Sequence, residues 1–202
     1  MNTIRNLLAG TALAFAVGAG PAAAQELTGD ALFAAMKSGG YVVYLRHGLS
    51  DTSQTDAEPF KADCAAQRNL SDAGKAQAKS IGETFKAHGV AVDQVFSSTY
   101  CRAKDTATLA FGKAEVVPAL FYSLGLSKDD AAKAGAELKK LLAAAPKAGA
   151  NTVLVGHTSN LKEVAGVWPK KEGSAYVFKP DGKGGFTIAG TLEPTDYKKA
   201  GS

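Results

Sequence analysis

Arg46, His47 and Gly48 directly follow the apolar run Tyr41-Val42-Val43-Tyr44-Leu45, so a guanidinium and an imidazole leave the end of a predicted strand together. Further along, Thr152-Val153-Leu154-Val155-Gly156 runs into His157 in the same way. Two of the three histidines thus stand at the C-terminal ends of strands, where open α/β sheets build their sites. The chemistry this suits is phosphoryl transfer, which needs donors around the equatorial oxygens and a nucleophile in line. A neutral imidazole whose other nitrogen is held can attack phosphorus, a task that fits His47. Arg46 and Arg102 offer planar forks for oxyanions, and the N-terminus of the helix predicted to start at Arg102 adds backbone donors. His157 can give a proton or charge to the same oxygens, and Ser98 and Ser53 can add neutral donors.

The placement of arginine supports this. Only four occur, at 5, 46, 68 and 102, in a chain rich in lysine, and Arg46 and Arg102 lie beside the predicted site. His88 precedes Gly89 at the end of a predicted helix, where a cap or dipole contact is the expected role. A metal site from His47, His157 and an aspartate lacks any His-x-His or Glu-x-x-His spacing, so no metal is expected.

Strands and helices alternate around these residues. Helices are predicted over 28–37, 72–88, 102–111 and 129–144, with a short one around 161–164. Strands are predicted over 41–45, 90–96, 115–117 and 152–156, followed by a hairpin of 174–178 with 185–189. Residues 50–69 are polar and without period, a long loop over the C-terminal sheet edge. This order predicts an α/β fold, a three-layer α/β/α sandwich with a mainly parallel sheet.

The N-terminus reads as an export signal: basic Arg5, an apolar stretch over 7–17, and the small-residue run Pro21-Ala22-Ala23-Ala24-Gln25. Residues 1–24 are therefore expected to be removed near Ala24, leaving one domain over 25–202 in the periplasm or outside the cell. The apolar stretch falls short of the roughly 20 residues that span a bilayer, so no stable membrane insertion is expected. A formal charge of +4, spread over lysines, does not suggest nucleic-acid binding. Cys64 and Cys101 both follow the predicted cut, and an oxidising compartment makes a disulfide the leading reading, with two buried thiols as the alternative. No apolar stripe outside the expected core specifies an oligomer.

Four blocks in order, Arg46-His47-Gly48, Leu70-Ser71-x-x-Gly74-x-x-Gln77-Ala78, Ser97-Ser98-x-x-x-Arg102-x-x-x-Thr106-Ala107 and Val155-Gly156-His157, resemble the smaller branch of the histidine phosphatase superfamily, the phosphoglycerate-mutase-like group. The resemblance implies a cofactor-free phosphatase that passes through phospho-His47, with Arg46, Arg102 and His157 completing the phosphate pocket. The glutamate that many smaller-branch members carry after the third strand has no counterpart in Val117-Pro118-Ala119-Leu120-Phe121-Tyr122, and Thr158 stands where the larger branch has an acid. Asp51, nearest in sequence to His47, is the first candidate for proton donor; Asp56, Glu58 and Glu163 are further ones. The leading expectation is a phosphomonoesterase acting on an extracytoplasmic small-molecule or envelope phosphate. A phosphohistidine-specific protein phosphatase and a non-catalytic phosphate-binding protein of the same fold are the alternatives.

Overall fold

The computed structural model describes residues 26–197. The expected leader over 1–24 lies outside them. Seven strands form one sheet: β1 (Leu27–Thr28), β2 (Val42–Arg46), β3 (Val92–Ser97), β4 (Glu115–Val116), β5 (Asn151–Gly156), β6 (Ala175–Pro180) and β7 (Phe186–Leu192). Their spatial order is β1-β7-β6-β2-β5-β3-β4. The pairs β2–β5, β5–β3, β3–β4 and β1–β7 are parallel, while β6 runs antiparallel to both β2 and β7. The continuous apolar runs of β2 and β5 are the mark of strands covered on both faces, and these two lie at the centre.

Helices α1 (Gly29–Met36), α2 (Asp72–Ala87) and α3 (Cys101–Phe111) cover one face, where Phe33, Ile81, Phe85 and Ala107 pack on Val43, Leu45, Val153 and Val155. Helices α4 (Lys128–Ala143) and α5 (Thr158–Ala165) cover the other, with Leu138, Leu142 and Leu161 against Val42, Tyr44 and Leu154. The result is the three-layer sandwich with a largely parallel sheet that the sequence predicts. Strand β1 was not legible, because two residues are too short to show a period. Helix α5 starts earlier than its apolar pattern, at Thr158, directly after the strand-end histidine.

Register fixes the site. Val42 pairs with Thr152 and the ladder runs to Arg46 opposite Gly156, so β2 and β5 end level and release His47 and His157 side by side. On the other flank of β5, Ser97 pairs with Val155, which places Ser98 next to the same edge. The loop over 50–69 is bound at both ends. Ser50 bridges to Leu70, and Ser71 N–H donates to the Leu49 carbonyl at 3.0 Å. Ser71 also caps α2, its Oγ accepting from Gly74 N at 3.1 Å, a contact worth about 1 kcal/mol. A Cβ at Gly74 would sit 1.8 Å from the Leu49 oxygen, so only glycine lets α2 approach this closely.

Cys64 and Cys101 form a disulfide with Cα atoms 5.7 Å apart. Inside it, Gln67 accepts from Cys101 N at 2.9 Å and donates to the Lys61 carbonyl at 2.9 Å. The bridge closes a loop of separation 37, worth roughly 4 kcal/mol if chain entropy sets its effect. Reduction is expected to lower the thermal midpoint by about 10 °C. It should also lower activity, since Cys101 precedes Arg102 and the tethered loop carries Asp56 and Arg68. Scanning calorimetry and phosphate release with and without reductant check this; unchanged values for both would remove the bridge from the site's support.

Candidate active site

His47 leaves β2 almost completely buried. Its Nδ1 lies 2.9 Å from the Gly48 carbonyl, an acceptor only, so the ring proton belongs on Nδ1. The lone pair is then on Nε2, where Arg102 Nε donates to it at 3.3 Å. A nucleophilic nitrogen is thus held beside a guanidinium, with no proton to remove before attack. Gly48 N–H donates to Thr106 Oγ1 at 2.9 Å, which fastens the turn after β2 to helix α3.

Three arginines converge here. Arg102, 2% exposed, reaches over the Tyr100 ring at 4.5 Å; its Nη1 donates to Asp56 Oδ1 at 2.9 Å and to the Arg68 carbonyl at 3.1 Å. Arg46 Nη1 donates to the Pro169 carbonyl at 3.3 Å and also to that of Lys170, and its Nη2 lies 3.5 Å from Glu172 Oε1. Arg68 Nη2 and His47 Nδ1 are each 3.9 Å from that same oxygen. Glu172 is anchored from below by Ser50, whose Oγ donates to Oε1 at 2.7 Å and whose N–H donates to Oε2 at 3.0 Å.

His157 is the N-cap residue of α5 and is locked through its backbone. Tyr44 Oη donates to its carbonyl at 2.8 Å and accepts from its N–H at 3.0 Å. That clamp needs Gly156, because a Cβ there would lie 2.3 Å from Tyr44 Oη. The ring packs 5.4 Å from His47 and 5.0 Å from Tyr100 between centroids. Its Nε2 lies 2.9 Å from Ser98 Oγ. Ser98 Oγ also accepts from Tyr100 N at 3.3 Å; with its own proton donated to His157 Nε2, the imidazole proton stands on Nδ1.

These side chains line a cleft of about 290 Å³, with the buried His47, Arg102 and His157 beside Arg46 and the more exposed Arg68, with Thr158 and Ser159 at the start of α5, and with Tyr122, Leu124 and Trp168 toward solvent. Arg46 Nε and Ser159 Oγ are buried without a hydrogen-bond partner among the described residues. Orphaned polar groups facing a cationic cleft call for a ligand with acceptor oxygens.

The structure brings together Arg46, His47, Arg102 and His157 as the sequence predicts, and moves three other residues. Asp51 and Ser53 do not line the cleft: Ser53 donates to Asp51 Oδ1 from its N–H at 2.9 Å and from its Oγ at 2.7 Å, so each satisfies the other in a local turn. Ser98 sits fully buried behind His157 rather than in the cleft. Glu163 faces away, accepting from Ser123 Oγ at 3.0 Å, and His88 caps α2 while stacking on Phe33. Arg68 and Glu172 were not read from the sequence. The scarcity of arginine could have flagged Arg68; Glu172, among lysines in a surface-like stretch, carried no signal. Asp56, one of the loop acids considered, is the one that enters. Among the described residues no group of three or more His, Cys, Asp or Glu is placed to hold a metal ion, and no helix is long and apolar enough to cross a membrane.

Burial, followed by the charge of Arg102, holds His47 well below the ordinary imidazole range; burial, followed by His47 and Arg102, does the same for His157. Both are therefore neutral at pH 7. Unfolding returns each to an ordinary value near 6.5, so between the lowered native values and that point the unfolded chain binds more protons. The stability contribution is complete above about pH 6.5 and is lost as the pH falls below it. Urea denaturation from pH 8 to pH 5 is expected to show a plateau and then a decline, and the decline should be shallower in His157→Asn. An identical slope in that variant would mean that His157 takes no part.

The model of the histidine phosphatase superfamily (branch 1) matches residues 42–120, a span holding the first three sequence blocks and both Arg46 and Arg102. No curated protein sequence matches the chain significantly. Among solved structures, a tungstate complex of the protein histidine phosphatase SixA is 18% identical, with a TM-score of 0.54, over 78% of this chain and 99% of that one. A mycobacterial glucosyl-3-phosphoglycerate phosphatase is also 18% identical, with a TM-score of 0.54, over 74% and 97%. A phosphoserine phosphatase from Entamoeba histolytica is 13% identical, with a TM-score of 0.50, over 77% and 98%. At these identities the shared property is the fold.

Proposed function

We propose that the chain is a histidine phosphatase, in keeping with the superfamily model that matches residues 42–120, and that it is a phosphomonoesterase that works through phospho-His47 and acts on an extracytoplasmic phosphate ester. The observation that carries this is the tautomer of His47: Nδ1–H on the Gly48 carbonyl and a bare Nε2 beside Arg102 at 3.3 Å. The export-like N-terminal pattern and the disulfide support the location.

The substrate phosphate enters with its oxygens on Arg46, Arg102, the Nδ1–H of His157 and the first amides of α5. Arg68 strengthens the field from the side. Nε2 of His47 attacks phosphorus while the bond to the ester oxygen breaks, and the imidazole, which keeps its Nδ1 proton, becomes cationic. Glu172, with Oε1 3.9 Å from Nδ1, is the counter-charge for that intermediate. The ester oxygen leaves with the bonding pair; water then attacks phosphorus from the vacated side, one of its protons ends on that oxygen, His47 returns to its neutral form, and inorganic phosphate leaves. Asp56, already engaged by Arg102 Nη1 and by Arg68 N–H, both at 2.9 Å, orients the guanidinium rather than serving the ester oxygen.

Mass spectrometry without acid quench, after brief mixing with a panel of phosphomonoesters, tests the reading. One phosphoryl adduct on His47, with release of phosphate, is expected. A folded sample that forms no adduct and releases none from any donor overturns it in favour of a phosphate-binding protein.

A further inference from the structure

Leu124 and Trp168 are 70% and 44% exposed, two of only five large hydrophobic side chains left in solvent among the described residues, and both line the arginine cleft. They come from separate segments, Leu124 from the 3-10 turn Ser123–Gly125 before α4 and Trp168 from the segment after α5. Tyr122 joins them, its ring 5.4 Å from that of His157. Lys162 Nζ lies 4.4 Å over the indole of Trp168, which holds the ring while leaving it partly open to water. Exposed apolar groups gathered at the mouth of a charged cleft mark a surface that a ligand covers. Phosphate itself gives them nothing, since its contacts are the guanidiniums and amides inside the cleft.

We infer that Tyr122, Leu124 and Trp168 form a leaving-group subsite for an aromatic group, so that the substrate class is the aryl phosphate monoester. This rests on the phospho-His47 reading and deepens it. A second observation agrees: the carboxylate of Asp56 in the cleft is bound by Arg102, and that of Glu172, beside Arg46, is bound by Ser50. A leaving group that departs as a stabilised anion suits a site whose acids are occupied. In the first step the Nε2–P bond forms and the P–O bond breaks, with the electron pair staying on the aryl oxygen, which leaves as the phenolate. In the second, water adds to phosphorus and supplies the proton that ends on the phenolate, so that phenol and hydrogen phosphate are released.

The test compares 1-naphthyl phosphate with acetyl phosphate, both activated but only one aromatic, in wild type, Trp168→Ala and Leu124→Ala. Both substitutions are at the surface and leave the phosphate contacts intact. KM for 1-naphthyl phosphate is expected to rise about tenfold in Trp168→Ala, and less in Leu124→Ala, with acetyl phosphate kinetics unchanged. Wild-type turnover of both donors with no selective change in either variant overturns the subsite and leaves the phosphatase reading standing. An equal loss on both donors assigns Trp168 a structural role and likewise overturns it. No phosphate and no His47 adduct from either donor in wild type overturns the underlying reading itself.

Discussion

Replacing His47 by alanine is expected to abolish phosphate release, by about 10⁴-fold or more, and to eliminate the covalent adduct while the fold persists. The loss is near total because the other histidine of the cleft cannot take the nucleophile's place. His157 has its Nε2 satisfied by Ser98 at 2.9 Å and its backbone clamped by Tyr44, so it cannot swing into line. The structural cost is modest, about 1 kcal/mol for the lost contact to the Gly48 carbonyl. At acid pH the sign changes: wild type bears the burden of a histidine kept neutral by burial and Arg102, and the alanine variant does not. The variant should therefore equal or exceed wild type in urea stability at pH 5. Because the arginines remain, it should still bind a phosphate monoester. Phosphate release at an undiminished rate would overturn the covalent mechanism, whereas binding without turnover in both proteins would favour a binding role.

Arg102→Lys keeps the charge and is nevertheless expected to reduce kcat/KM by about 10²–10³-fold. The guanidinium serves three groups at once: its Nε donates to His47 Nε2, and its Nη1 donates to Asp56 and to the Arg68 carbonyl, all while lying over Tyr100. An ammonium is a point donor on a shorter reach and cannot span them. Asp56 and the loop carbonyl would lose their partner, at a cost of about 1–3 kcal/mol in stability. Single-turnover kinetics separate the two effects. Adduct formation should slow with the protein still folded by circular dichroism, and a rate within a few-fold of wild type would show that charge alone suffices at this position.

Much of this architecture was readable before folding. The apolar runs ending in Arg46-His47 and Gly156-His157 announced two strands and the groups at their ends, because a strand buried on both faces must be continuously apolar. The glycines, caps and prolines bounded the helices to within a few residues, since those residues act locally. Strand β1 escaped because its pairing partner, not its own pattern, makes it a strand. Asp51 was misplaced for a related reason. Proximity in sequence to His47 suggested a role, but a side chain two residues from a willing hydroxyl closes on it, and Ser53 took both available contacts.

The sequence by itself determined the layers, the two strand-end histidines, the flanking Arg46 and Arg102, and the cysteine pair, all of which follow from local pattern or from the chemistry of single residues. Only the tertiary structure decided which charges share the cleft. Arg68 and Asp56 arrive on a loop pinned through Cys64, and Glu172 arrives from the turn before β6, whose antiparallel pairing with β2 brings it beside Arg46. It likewise decided that Leu124 and Trp168, far apart in the chain, stand together at the mouth. Such neighbourhoods come from strand register and loop closure, which depend on the whole packed chain, and no short stretch of sequence contains them.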